Sequence, residues 1–193
     1  KDPSSLYKIK LMARFDPLTI SELKDGLRGH MGKLFERDEQ YFNVLRKAKP
    51  TNFIRPLRNA LGKNFSKILE WDGEFISAVA EGLEHSAKIM ALGHSLLDIE
   101  DPEIVRALGR WHMEEAIVKD KVKGKKRTYI TRIDQVRRQL GDEFRILMRS
   151  NAAVVDQAGH WTDEEIEKIK FYVGYINADV IEALSTLPFA YTI

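Results

Sequence analysis

Between Leu18 and Leu184 the apolar residues of this chain recur at steps of three and four, a spacing that lays them along one side of an α-helix and denies them the alternation of a half-buried strand. Ile20, Leu23, Leu27, Met31 and Leu34 make one stripe, and Ile133, Val136, Leu140, Phe144 and Leu147 another. Ile166, Ile169, Val173, Ile176, Val180 and Leu184 make a third. Thr19 with Glu22, and Thr162 with Glu165, have the spacing of capping boxes. Asp72 can cap a long helix from Gly73 to about Leu97, and Asp101-Pro102-Glu103 has the composition of a helix start. The expected class is all-α.

Other stretches are less regular. Phe35 to Leu45 continues in helical style toward Pro50, and from Pro50 to Trp71 the interruptions at Pro56, Gly62 and Asn64 predict a short helix and a mobile connection. Tyr7, Ile9 and Leu11 alternate with Lys8 and Lys10, but no partner strand follows, so residues 1–17 read as an N-terminal extension. No strand pair and no internal repeat is evident. Lys119, Lys121, Lys123, Lys125, Lys126 and Arg127 surround Gly124 without interleaved aromatics and read as a solvated loop.

A length of 193 residues fits one domain, expected over residues 18–187 with a tail at 188–193. The formal charge of +2 gives no general argument for a nucleic-acid partner, and none is expected. The chain holds no Cys, which removes thiolate metal sites and Cys nucleophiles and suits a cytoplasmic setting. No stretch approaches the roughly 20 apolar residues of a membrane helix. Neither a Gly-rich phosphate loop nor a nucleophile motif is present, so hydrolysis or phosphotransfer is not expected.

Two histidines stand on apolar stripes. His85, Ile89, Leu92 and Leu96 fall on one helical face, and Ile104, Leu108 and His112 repeat the device on the next predicted helix. Two imidazoles directed into a cleft between successive helices can hold a flat iron cofactor from both sides. His94 lies about half a turn out of phase with His85, so only one of those two can face such a cleft. His30 and His160 are expected at the surface.

These segments resemble the globin family. Leu108-Gly109-Arg110-Trp111-His112 resembles the proximal motif, His85-Ser86-Ala87-Lys88-Ile89-Met90 the distal helix, Leu45-Arg46-Lys47-Ala48-Lys49-Pro50 the passage into the short third helix, and Trp161-Thr162-Asp163-Glu164-Glu165 the start of the last helix. The resemblance covers about Leu18 to Leu184, with Phe53, Leu57 and Phe65 competing for the family's heme-packing corner. It implies a globin-like fold of about seven to eight helices around heme b, with His112 on the iron. His85 would then ligate the iron from the distal side or hydrogen-bond the bound gas. Ile89, Leu92 and Leu108 would line the pocket, with Phe53 and Phe65 as further heme-contact candidates. The implied partners are dioxygen or another diatomic gas, a redox partner and a second copy in a homodimer. The alternative is a helical protein–protein interaction module without cofactor, in which the stripes are simply core.

Overall fold

The computed structural model describes Tyr7, Lys10 and residues 12–120 and 124–173. Ile9 and Leu11 of the N-terminal extension, the positions Ile176, Val180 and Leu184 of the last stripe, and the tail at 188–193 lie outside the described residues. The helical class holds throughout most of the described chain. The chain divides into two compact units, Lys1–Gly93 and His94–Ile193.

The first unit contains α1 (Pro17–Leu27), a 3-10 turn Arg28–His30, α2 (Met31–Leu34), α3 (Glu39–Lys47) and a π-helical turn Pro50–Ile54. It continues with α4 (Arg55–Leu61), a 3-10 segment Gly62–Glu70, α5 (Gly73–Gly82) and α6 (Ser86–Leu92). Helix α1 starts earlier than its expected capping box. Asp16 accepts from the N–H groups of Leu18 and Thr19 at 2.8 and 3.3 Å, and Pro17, which has no N–H to satisfy, takes the first turn. Glu22 therefore lies inside the helix rather than in a cap. Almost fully buried, it pairs with Arg55 at 2.6 Å and Arg58 at 2.9 Å, which ties α1 to α4. Asp72 caps α5 as expected, accepting from Phe75 N–H at 2.7 Å.

The stretch expected to be a mobile connection is core. Ile54, Leu57, Leu61, Phe65 and Ile68 are fully buried, and α4 packs on α6 while α3 packs on α5. The Tyr41 hydroxyl donates to Ile68 O at 2.8 Å, and burial holds its pKa well above the usual phenol value. Gly26 gives the Phe65 ring its seat, since a Cβ at that position would run into the ring. The predicted long helix from Gly73 to Leu97 is interrupted twice: α5 ends at Gly82, α6 begins after His85, and Gly93 at φ 53° stops α6 before a 3-10 turn Gly93–Asp98.

The second unit holds α7 (Pro102–Arg110), β1 (Met113–Asp120), β2 (Gly124–Thr131), α8 (Arg132–Leu140), a 3-10 turn Gly141–Glu143, α9 (Phe144–Met148), α10 (Ala152–Ala158) and α11 (Asp163–Val173). Asp101 caps α7 and Pro102 opens it, and Thr162 and Glu165 exchange the two bonds of a capping box, at 2.6 and 3.3 Å. Strands β1 and β2 pair antiparallel from Met113↔Thr131 to Asp120↔Gly124. This corrects the expectation that the chain holds no strand pair, and places Lys119, Asp120 and residues 124–127 of the expected loop in strand, residues 121–123 lying outside the described residues. The β-formers Ile117-Val118 and Thr128-Tyr129-Ile130 stand on opposite strands of the ribbon, and this pairing carries Lys119, Lys125, Lys126 and Arg127 into strand.

A repeat also emerges that apolar spacing alone does not reveal. Helices α1, α4, α6 and α8 each end on a buried Leu (Leu27, Leu61, Leu92, Leu140) followed by a residue at positive φ: Arg28 at 48°, Gly62 at 54°, Gly93 at 53° and Gly141 at 62°. Three of these junctions share a longer pattern. Ile20, Leu23, Leu27, Arg28, Met31 and Leu34 correspond to Ile54, Leu57, Leu61, Gly62, Phe65 and Ile68, and again to Ile133, Val136, Leu140, Gly141, Phe144 and Leu147. The unit is a helix, a sharp reversal and a second helical turn, with the same apolar spacing on both limbs. Arg28 breaks the rule that glycine occupies the reversal. A side chain in that conformation costs about 1–3 kcal/mol, which glycine avoids.

Candidate functional site

The residues of the expected heme site fall in both units. Phe53, Phe65, His85, Ile89 and Leu92 belong to the first, and Leu108 and His112 to the second. Ile89, Leu92, Phe65 and Leu108 are fully buried and Phe53 nearly so. In the first unit α6, which carries Ile89 and Leu92, packs against α4 and the π-helical turn that carries Phe53. Phe65 instead packs on Gly26 of α1. Phe53 also edges an open cleft of about 860 Å³ between α3 and α5, whose walls include Glu39, Asn43, Lys47, Glu81 and Glu84 and no histidine.

Neither imidazole is presented as expected. His85 is the N-cap of α6 rather than a residue within a longer helix, and its Nδ1 accepts from the N–H of Ala87 at 3.1 Å. A neutral ring that accepts at Nδ1 carries its proton on Nε2 and so offers no lone pair to a metal at either nitrogen. His112 follows the end of α7 and precedes β1. Its side chain is 71% exposed, and its Nε2 lies 3.1 Å from Glu114 Oε1. The turn that ends α7 swings the ring out of the helical register in which Ile104 and Leu108 remain buried. A heme iron needs a free ring nitrogen within a dry apolar slot, and the described surroundings of these two rings do not fit the cofactor. His30, His94 and His160 are exposed. Among the described residues no group of three or more His, Cys, Asp or Glu side chains is arranged to hold a metal ion.

The residue that organises the resemblance segment is Trp111. It is 4% exposed, its Nε1 donates to Val155 O at 3.0 Å, and its ring lies over Gly159, fixing the end of α7 against α10. Arg110 adds an ion pair with Asp156 at 2.9 Å, and Arg132 donates to the carbonyls of Gly159 and Trp161. The base of the hairpin is thus flanked by anchored chain on both sides.

From that base the two eight-residue strands extend roughly 25 Å. Register places Lys119 opposite Lys125, Val118 opposite Lys126 and Ile117 opposite Arg127. Residues 119–127 carry six Lys or Arg and one Asp, a net +5, so with +2 over the whole chain the remainder carries 2 − 5 = −3. Of these residues Lys119, Lys125, Lys126 and Arg127 stand on the described strands, while Lys121 and Lys123 lie outside the described residues; at the base of the ribbon Tyr129 and Ile130 are exposed. The run of lysines is visible in the sequence; its ordered pairing is not. No helix among the described residues is long and apolar enough to cross a membrane. Compared with known proteins, the chain matches no family model, no curated protein and no solved structure, so the likeness to globins rests on the quoted residues alone.

Proposed function

We propose that this chain is a cofactor-free helical binding module that grips the phosphate backbone of double-stranded nucleic acid with its β1–β2 hairpin. The observation that carries the reading is the pairing of Lys119 with Lys125 within a nine-residue stretch of net charge +5. Like charges directly opposite one another weaken a ribbon, and a polyanion laid along it relieves that repulsion. A two-stranded ribbon also has the width that the major groove of a duplex admits. The helices of the second unit supply the platform, and their buried stripes are core.

Anisotropy of a labelled DNA duplex, titrated with the protein at 50 and 200 mM salt, tests the reading. With about four phosphates neutralised, affinity should fall roughly 10²-fold between the two salt concentrations. A Lys119→Glu, Lys125→Glu, Arg127→Glu variant should lose binding at both. A wild-type protein that binds no duplex at 50 mM salt, or a variant that binds as well as wild type, overturns the proposal. An acidic peptide that displaces the duplex would point to the protein–protein alternative instead.

A further inference from the structure

The first unit carries a second cationic feature, independent of the hairpin, where two copies of the repeated reversal meet. The reversal after α1 and the reversal after α4 line one groove of about 450 Å³, formed by Asp25, Arg28, His30, Arg58, Gly62 and Lys63 with neighbouring backbone. Arg58 is fixed in place by Glu22 at 2.9 Å and Asp25 at 3.4 Å. Arg28 and Lys63 are exposed at the mouth and make no side-chain hydrogen bond or ion pair among the described residues. Arg28 is the one reversal of the four that is not glycine, and it adopts φ 48°, ψ −122°, a conformation that side chains rarely take. Strain of this kind collects where a side chain has work to do at a site. A Cβ at Gly29 or Gly62 would meet nothing within 4 Å, so the space beside both glycines is open.

We propose that this groove binds a phosphorylated ligand through its oxyanions, with Arg28 and Lys63 as the direct contacts and Arg58 as the preset third cation. Arg58 is balanced by Glu22 and Asp25, so the uncompensated positive charge at the groove is that of Arg28 and Lys63, and guanidinium donors match phosphate geometry. No Phe, Tyr or Trp lines the groove and His30 is its one ring, so the cationic side chains make the phosphates the main target of recognition. The same chemistry is offered by a free polyphosphate compound and by the backbone of a nucleic acid strand.

The test uses the full chain, with tripolyphosphate and a short single-stranded oligonucleotide as separate probes, followed by amide shifts in NMR and by calorimetry. Tripolyphosphate should move the amides of Arg28, Gly29, Gly62 and Lys63. Arg28→Gly should weaken it about tenfold while raising the thermal midpoint by roughly 4–8 °C, because glycine relieves the backbone. Lys63→Gln should weaken binding with the midpoint unchanged. Shifts at these amides with the oligonucleotide as well assign the phosphates to a nucleic acid strand, and shifts with tripolyphosphate alone assign them to a free compound. The same titrations in the hairpin variant should be unaltered at the groove, so failure of the hairpin reading leaves this one standing. Shifts confined to the hairpin, or Arg28→Gly binding as tightly as wild type, overturn the proposal.

Discussion

Gly159→Ala should destabilise the wild-type protein and stabilise a protein that lacks the Trp111 indole. Gly159 sits at φ −61° and ψ −24°, within the ordinary helical region, so alanine fits the backbone and restricts the unfolded chain, a gain of about 0.4–1 kcal/mol. Against this stands the indole: a Cβ at 159 would lie 2.7 Å from Trp111 Cδ1 and 2.8 Å from Nε1. The ring cannot yield freely, because Nε1 is bonded to Val155 O at 3.0 Å and the residue is only 4% exposed. Overpacking of this kind costs about 1–3 kcal/mol. The net effect in wild type is a loss of about 1–2 kcal/mol. In a Trp111→Leu background, itself weaker by about 2–4 kcal/mol through lost volume and an unpaired carbonyl, the same change should add about 0.4–1 kcal/mol. Urea unfolding followed by far-ultraviolet circular dichroism on the four proteins yields the coupling, expected at about 1–3 kcal/mol. Equal effects of Gly159→Ala in both backgrounds would refute the claim that the indole docks on that glycine.

Asp98 receives Arg145 through two bonds of 3.0 Å and Arg149 through one of 2.7 Å, and the Arg145 bond above all holds its carboxyl below the usual aspartate range. A carboxylate depressed by folding adds stability above its unfolded pKa of about 3.9 and loses it as pH falls through the lower folded value. Asp98→Asn should therefore flatten the acid limb of a stability–pH curve below about pH 4, as read by thermal melts. His85→Ala should cost about 0.5–2 kcal/mol by uncapping α6, whereas His85→Asn, which retains an acceptor for Ala87 N–H, should restore most of it in the same urea assay. Hemin added to wild type and to His112→Ala should give the same visible spectrum, because the exposed ring beside Glu114 offers no dry axial site.

The stripes report burial faithfully and continuity poorly. Ile133, Val136, Leu140, Phe144 and Leu147 are all core as their spacing predicts, yet Gly141 at φ 62° divides them between α8 and α9. The reason is that a reversal followed at once by another helical turn keeps steps of three and four nearly in phase, so apolar periodicity alone does not register the break. Glycine after leucine is the available signal, and its recurrence at Gly62, Gly93 and Gly141 marks the repeat. Caps are legible where no better acceptor stands upstream, as at Asp72, Asp101 and Thr162, and misplaced at Thr19 because Asp16 precedes a proline. The hairpin is hidden by composition, since lysines are poor strand formers and the β-branched residues that pair them lie on either side.

The candidate site shows why orientation is harder to read than burial. An apolar stripe containing a histidine has the same spacing whether the ring lines a pocket, caps the next helix or leaves the helix one residue after it ends. At His85 the deciding element is the break after Gly82, which turns an interior position into a cap; at His112 it is Trp111, which buries itself over Gly159 and sends its neighbour outward. The decision at His112 belongs to residues distant in sequence, Val155 and Gly159, which no window of ten or twenty residues around it contains. Charge behaves differently, because strand pairing does not dilute it. The charges of Lys119, Lys125, Lys126 and Arg127 survive the change from predicted loop to ribbon and become more consequential there, as register sets Lys119 against Lys125. An anion is the most direct means of relieving that opposition, and for this reason the hairpin, rather than either histidine, is the place to look for a partner.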